Sequence, residues 1–401
     1  MKILFVAPYP ISRIRIRSYG FVSQLARVHD VTVLVPCSTA REAADIQTLQ
    51  DEGLHVIAVA DKRAWKLLRT LRALPTQKPL QVAFDASPAL RKAIEKELSM
   101  GQYDLLHVEF IRALGALPDE LPVPVVWDAV DCISRLYEHG AYFGATPMLR
   151  LVGAIEARRT CLYERAQLAR FRHILITSER DRQALLTIAK HTPATCAEIT
   201  VLPHGVDQEY YRAYRGQRDP ETLVFSGKMS FHANVAGVLH LVENIMPLIW
   251  QKRPSVRLVI AGSNPPASVR RLAQDERIEV TGYVADMRPY VERAQVAVCP
   301  LPYAVGIQNK ILEAMALGTP VVASSHAAGG LVTVTTADQQ ILIADQPTDF
   351  AIAVLRLLDD SAQWMRLSQN GLEYIATYHN WTQIVKQLTA IYANTLDANA
   401  K

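Results

Sequence analysis

Short runs in which nearly every residue is apolar alternate with longer amphipathic stretches along this 401-residue chain. That alternation limits the fold more than any single motif does. The runs at 3–6, 31–35, 55–59, 104–108, 123–127 and 173–177 have little polar surface to turn toward water. Strands of this kind are buried on both faces, and when helices separate them they form parallel, doubly wound sheets. The pattern restarts at Thr222 with a further first strand and loop over 222–228, a helix over 235–250 and strands at 256–261, 296–299, 321–323 and 341–343. Two α/β domains of Rossmann-like type are therefore expected, which also suits the length at about 100–200 residues per domain. The polar stretch 205–220, rich in Tyr, Arg and Asp, reads as a linker. After Trp381 a last amphipathic helix follows.

Two such halves form a cleft, and ligands of open parallel sheets bind beyond the carboxyl ends of the strands. Neither first strand is followed by G-x-G-x-x-G, which disfavours a nicotinamide or flavin dehydrogenase. Neither the P-loop pattern nor H-E-x-x-H occurs. The net charge of +4 does not by itself support a nucleic-acid partner. The five cysteines, Cys37, Cys132, Cys161, Cys196 and Cys299, are scattered and form no C-x-x-C pair. They read as isolated core thiols of a cytoplasmic protein, without a disulfide framework or zinc site. The first apolar run is short and closed by Pro8 and Pro10, so it reads as a buried strand rather than a signal peptide. No run of about 18 uncharged apolar residues is present, and no membrane-spanning helix is expected.

The most informative stretch is Gly306-Ile307-Gln308-Asn309-Lys310-Ile311-Leu312-Glu313-Ala314-Met315-Ala316-Leu317-Gly318-Thr319-Pro320, which follows the strand near 295–299 and a Pro-rich loop. Gln308 or Asn309 can cap a helix that Gly318 ends, with Ile311, Leu312, Met315 and Ala316 on its core-facing side. Free N–H groups and partial positive charge make such a helix start a ready diphosphate site. Lys310 adds a formal charge, and the Glu313 carboxylate can accept both hydroxyls of a ribose. On local grounds alone, the alternative stands that Glu313 complements the helix dipole and Lys310 is solvated.

The run from Leu312 to Val322 resembles the L-E-A-M-A-x-G-x-P-V-V segment of retaining GT-B glycosyltransferases of the group-1 (family four) class. Gly306 to Lys310 is similar to the G-I-Q-N-K form found in sugar transferases of exopolysaccharide and PEP-CTERM export systems. The resemblance implies a GT-B fold of two Rossmann-like domains facing a cleft, with retention at the transferred sugar. It makes Glu313 the ribose ligand. The first Glu of the family motif falls on Val305, so Ile307, Gln308, Asn309 and Lys310 are taken as substitute donor contacts. Phe225-Ser226-Gly227-Lys228 resembles the loop where Gly227 and Lys228 meet the donor phosphates, and Asn234 stands where relatives often add a second basic residue. Thr281-Gly282-Tyr283-Val284 resembles the loop that lines the base, here through Tyr283 and Val284. Leu202 to Asp207 resembles the interdomain N-G-V-D turn, and Tyr378 to Trp381 the segment before a helix that returns to the first domain. The implied domains are 1–210 completed by 382–401, on the acceptor side, and 218–381, on the donor side.

In the first half, Arg13, Arg15 and Arg17 follow the first strand, where many relatives have a Gly-rich loop. Arginine forks suit phosphate oxygens, so Arg15 and Arg17 are acceptor-side candidates, with a solvated helix start as the alternative. Asp128 and Asp131 follow another strand, where many relatives place a His. Asp131 is the stronger candidate to hydrogen-bond the donor sugar or orient the acceptor hydroxyl. Both aspartates can instead cap the next helix. Lys228, Glu313 and Asp131 are thus the catalytic candidates. No D-x-D occurs, and no metal or other cofactor is expected, because Lys228 and the helix dipole can replace a divalent ion. His107 and Glu109 end one strand and read as a partly buried surface pair. The stretch 62–72 is basic and apolar without an acid, a composition that suits an anionic membrane surface or simply a solvated helix. Arg158, Arg159, Arg165, Arg170 and Arg172 form a second basic stretch, interrupted by Glu156 and Glu164, that reads as a long surface helix.

The expected activity is transfer of a sugar from a nucleotide sugar to a saccharide or lipid-linked acceptor, in exopolysaccharide or cell-surface glycan synthesis at the inner face of the membrane. A nucleotide-sugar epimerase of the same fold, and a non-catalytic nucleotide-sugar-binding partner of a synthase, are the rivals.

Overall fold

Val, Ile, Leu and Phe fill the strands of two parallel sheets in the computed structural model, which describes residues 1–143, 147–190, 197–332 and 339–399. The chain divides into two units, one formed by Met1–Gly205 with Trp381–Lys401, the other by Val206–Asn380. Cys196 lies outside the described residues.

In the first unit the strands are β1 (Lys2–Val6), β2 (Asp30–Cys37), β3 (His55–Ala60), β4 (Leu105–Glu109), β5 (Val125–Val130), β6 (His173–Ile176) and β7 (Glu198–Val201). They lie in the order β3-β2-β1-β4-β5-β6-β7, all parallel. Side chains of a strand point alternately to its two faces. Leu4 and Val6 accordingly enter one core, with Leu90, Ile94 and Leu106, while Ile3 and Phe5 enter another, with Phe21, Leu25 and Val33. The order reverses between β1 and β4, and this switch point is where open sheets of this kind leave room for a ligand.

In the second unit β8 (Asp219–Ser226), β9 (Arg257–Ala261), β10 (Ile278–Gly282), β11 (Ala294–Cys299), β12 (Val321–Ala323) and β13 (Leu342–Ile343) lie in the order β10-β9-β8-β11-β12-β13. The switch point here falls between β8 and β11. β7 and β10 are absent from the sequence reading, and the reason is physical. β7 is four residues at the edge of its sheet, and β10 is an edge strand with mostly half-buried or exposed residues. The stretch His232–Lys252 is long and apolar enough to cross a membrane by length and composition, but Val238, Leu241, Ile245 and Ile249 bury its inner side in the core of the second unit.

The crossing between units lies between Gly205 and Val206, at the start of the stretch 205–220 read as a linker and ahead of the boundary at 210 that the resemblance implied. The following segment belongs to the second unit because Arg218 donates to the carbonyls of Glu292, Ala294 and Leu317 and to Thr319 Oγ1. The return helix, Trp381–Asn399, packs Ile384, Val385, Leu388 and Tyr392 into the core around Phe21 and Leu25. The Trp381 indole lies so close to Gly20 that a Cβ there would sit 1.9 Å from its ring. Overpacking of this kind costs about 1–3 kcal/mol. Urea unfolding of Gly20→Ala should show a loss of that size, and an unchanged midpoint would contradict the packing.

Candidate active site

The second switch point is built on backbone approach. Gly227, directly after β8, donates its N–H to the Ala261 carbonyl at 2.9 Å, and Met229 donates to Ser263 O at 2.8 Å. A Cβ on Gly262 would meet the Gly227 carbonyl oxygen at 1.7 Å, so only glycine lets the loops after β8 and β9 lie together. The Ser226-Gly227-Lys228 turn is thereby held at the carboxyl end of β8.

Beside it, β11 runs through Pro300-Leu301-Pro302 into the helix Asn309–Ala316. Ile311, Leu312, Ala314, Met315 and Ala316 are buried and set the helix against the sheet. Gln308 occupies the N-cap position, but no side chain caps the helix. The Gln308 amide turns back to the Val305 carbonyl at 3.1 Å, and Asn309 Oδ1 is buried without a hydrogen-bond partner. This corrects the expectation that Gln308 or Asn309 caps the helix. The N–H groups of the first turn are left without a side-chain partner, in the arrangement that receives anions.

Lys310 lies across this turn. Its ammonium donates to Asn234 Oδ1 and sits 4.6 Å above the Phe225 ring, and Asn234 Nδ2 donates to the Lys228 carbonyl at 2.9 Å. Burial holds the Lys310 ammonium below the usual lysine range. Burial also raises the Glu313 carboxyl, opposed by a hydrogen bond from Tyr211 and by the charge of Lys310. The structure thus brings the Gly227-Lys228 backbone, Lys310 and Glu313 together with Asn234 and Tyr211, while Lys228 itself is exposed. Nothing in the sequence marked Tyr211, which stands in the stretch read as linker. Its neighbour Tyr210 lies under the Arg288 guanidinium at 3.8 Å, and Arg288 pairs with Asp286 at 2.7 Å. Ile307 is half-buried just before the helix. Tyr283 is exposed, and with Val284 it lines a groove of about 640 Å³ along β8, β9 and β10. None of Gly227, Lys228, Lys310 and Glu313 lines that groove.

The first unit departs further from expectation. Arg17 and Asp128 are both buried and pair bidentately, at 2.7 and 2.9 Å, while Arg17 Nη1 donates to the Leu202 carbonyl at 2.8 Å. Neither is free to grip a phosphate or an acceptor, which corrects their acceptor-side assignment. Breaking such a pair by removing one partner costs about 3–5 kcal/mol. Arg13 pairs with Glu52 at 3.0 Å. Arg15 is exposed, with its guanidinium 4.0 Å over the Tyr9 ring.

The capping alternative for the aspartates is also replaced. The N–H groups of Ile133 and Ser134, which open the next helix, donate to Glu164 Oε1 at 2.8 and 3.2 Å, and Cys132 N–H donates to Asp181. Glu164 reaches in from the helix Pro147–Arg170, a tertiary partner that local sequence cannot announce. Asp131 is half-buried and accepts from Thr177 Oγ1 at 3.1 Å. Burial, and then the charge of Asp181, push its carboxyl up to about 7.

His107 and Glu109 are fully buried rather than a surface pair. Tyr392 OH and His107 Nδ1 lie 2.7 Å apart, and burial pulls the imidazole down to about 4, so the ring is neutral. Tyr9 and Ser18 both donate to Glu109 Oε1, at 3.0 and 2.6 Å. Glu109 Oε2 has no hydrogen-bond partner, and burial pushes the carboxyl up to about 7. Phe110 and Val130, next to Glu109 and Asp131, both have φ of 67°. Left-handed backbone costs energy at a non-glycine residue, and for β-branched Val130 it is a true outlier. The carboxyl ends of β4 and β5 therefore combine strained backbone with carboxyls that ionise near neutrality, a pairing common at functional sites. Among the described residues no group of three His, Cys, Asp or Glu side chains is placed to hold a metal ion.

Residues 220–360 match the family model described as glycosyl transferases group 1. The two parallel-sheet units have the GT-B fold of the solved glycosyltransferase structures they resemble. The segment similar to the group-1 model takes in the Gly227 loop, the helix at 309–316 and Glu313. The chain is 27% identical over 231 residues to the MMP alpha-(1->4)-mannosyltransferase of Mycolicibacterium hassiacum, which covers 56% of this chain and 54% of that protein. It is 25% identical over 274 residues to the glycogen synthase of Mycobacterium tuberculosis, covering 63% and 64%. The chain thus spans about half to just under two thirds of the length of these curated relatives. Among solved structures, the sucrose-phosphate synthase from Thermosynechococcus elongatus superposes with a TM-score of 0.70 at 16% identity, over 99% of this chain and 100% of that one. Anabaena HepE in complex with UDP superposes at 0.65 and 14%, over 98% and 100%.

The raised Glu109 carboxyl has a consequence for stability. A carboxyl whose folded pKa lies above its unfolded value weakens the fold as pH rises between the two, by roughly 1.4 kcal/mol per unit. Glu109→Gln should therefore gain on the native protein as pH is raised from 4.5 to about 7, and hold that gain above it. Thermal unfolding across this range measures the difference. A gap that stays constant would contradict a protonated Glu109.

Proposed function

We propose that this chain transfers a sugar from a nucleotide-sugar donor to a saccharide or lipid-linked acceptor with retention, in the synthesis of an exopolysaccharide or cell-surface glycan at the inner face of the cell membrane. The observation that carries the reading is the uncapped start of the Asn309–Ala316 helix, set beside Gly227-Lys228, Lys310 and Glu313 within the segment that matches the group-1 model. The donor diphosphate is assigned to the first-turn N–H groups and Lys228, and the ribose to Glu313, displacing the Tyr211 phenol. When the bond from the sugar to the diphosphate breaks, the electron pair leaves with the phosphate oxygen. Fixed N–H dipoles and Lys228 stabilise that charge without reorganising, which is electrostatic catalysis. In this reading no metal is required. HepE, known in complex with UDP-glucose, lends support to a nucleotide-sugar donor.

Two variants test the donor site. Glu313→Gln and Lys228→Ala should each weaken donor binding by about 1.5–3 kcal/mol, the value of a charge-assisted hydrogen bond, without unfolding the protein. Calorimetry showing unchanged affinity in both would overturn the assignment. Val305, in place of the first motif glutamate, favours one second reading, a partner that binds the donor without turning it over. Product analysis with a lipid-linked saccharide separates transfer from binding alone.

Asp131 is assigned to the acceptor hydroxyl or the donor sugar. Its carboxyl at about 7 predicts turnover that rises with pH through neutrality if the ionised form acts. Asp131→Asn should lower turnover more than donor affinity and flatten that profile. Equal activity at every pH would leave Asp131 with a structural role only.

A further inference from the structure

The helix Arg63–Ala73 is turned inside out. At 100° per residue, Lys66, Arg69, Thr70 and Ala73 share one side, and this side faces the protein. Lys66 Nζ lies 3.2 Å from Asp85 and 4.0 Å from Asp61, and Arg69 grips Asp61 bidentately at 3.0 and 2.6 Å and reaches the Phe84 carbonyl at 2.8 Å. The outward side carries Leu67, Leu71 and Leu74 in one stripe, spaced four and three residues apart, and Trp65 stands apart from it, about 120° round the helix from Leu71. All four are at least half exposed. A soluble amphipathic helix buries its apolar stripe and wets its charges; this one does the reverse.

The charges left outside have one sign. No acidic residue stands between Asp61 and Asp85, and the cations that remain exposed are Lys62, Arg63 and Arg72, around the leucine stripe. The surface continues beyond the helix. Arg159 Nη2 donates to the Leu74 carbonyl at 2.5 Å, which brings the helix Pro147–Arg170 alongside, with exposed Ile155 and Leu151 one and two turns before Arg159.

We infer that the outer face of Arg63–Ala73 inserts its leucine stripe and Trp65 into the interfacial layer of an anionic lipid bilayer, with Lys62, Arg63 and Arg72 at the headgroups. The charge rim decides the occupant. A second copy seated on the same patch by a two-fold axis would set these cations against their own counterparts, whereas an anionic surface attracts all three. Lys66 and Arg69 are turned inward onto Asp61 and Asp85, the latter also met by Arg112 at 2.9 Å, so the headgroup contacts fall to the exposed cations. The surface is argued from the helix itself and stands apart from the sugar-transfer reading.

Sedimentation of the full chain with vesicles of phosphatidylcholine, alone or mixed with phosphatidylglycerol, tests it. The native protein should bind the mixed vesicles. Trp65→Gln/Leu67→Gln/Leu71→Gln should bind at least about ten-fold more weakly with the fold retained, because much of these side chains stays in water until binding. Lys62→Gln/Arg63→Gln/Arg72→Gln should lose the preference for the anionic lipid. Brominated acyl chains should quench a tryptophan signal that disappears in Trp65→Phe, which reads insertion even if the triple variant misfolds. Absence of native binding to either vesicle, or equal binding by a folded apolar variant, would overturn the inference. So would a native dimer that the apolar variant dissociates, which would assign the face to a second copy.

Discussion

Backbone N–H groups at the start of the Asn309–Ala316 helix have no side chain to receive them, and the chemistry proposed for this chain depends on that vacancy. A helix start normally enlists Ser, Thr, Asp or Asn to satisfy its first turn. Here Gln308 turns back to Val305 instead, and the Lys310 ammonium of the first turn is held against Asn234 and Phe225. Partial positive charge is thus concentrated at the carboxyl ends of β8 and β11, where the strand order reverses and the sheet leaves room. Glycine at 227 and 262 permits the approach of two loops that fixes the floor of the site.

The first unit deals with charge in the opposite way. Its buried acids are spent on structure: Asp128 on Arg17, Glu164 on the opening of the next helix, Asp61 and Asp85 on Lys66 and Arg69. What remains near the carboxyl ends of β4 and β5 is the pair Glu109 and Asp131, each pushed by burial toward neutrality and each next to left-handed backbone. Such strain persists only where the surrounding structure over-determines it, and it clusters at functional sites. The two units therefore share a topology while presenting different electrostatics, cationic at the second switch point and acidic at the first.

Much of the fold was legible because its signal is local. Runs such as Ile3 to Val6 are apolar on both faces, and the helix at 309–316 carries its own stripe and stop. Edge strands β7 and β10 lack that signal, since one side of each is spared burial. Candidate site residues in contiguous motifs, Gly227-Lys228 and Ile307 to Glu313, could be picked out from the sequence. Residues that act through distant partners could not. Nothing local says that Arg17 will meet Asp128 across the sheet, that Glu164 will cap a helix far from it in sequence, or that Tyr211 will reach Glu313. The stretch at 62–72 shows the same limit. Its composition announced a basic and apolar helix, but which face turns outward is decided by Asp61 and Asp85.

The most direct measurement is the crystal structure of the protein soaked with a uridine or guanosine diphosphate. The account predicts diphosphate oxygens within hydrogen-bond distance of the backbone N–H groups at the start of the 309–316 helix and of Lys228, with the ribose hydroxyls on Glu313. A nucleotide bound elsewhere, for instance in the groove beside Tyr283 and Tyr290, with that helix start untouched, would contradict it.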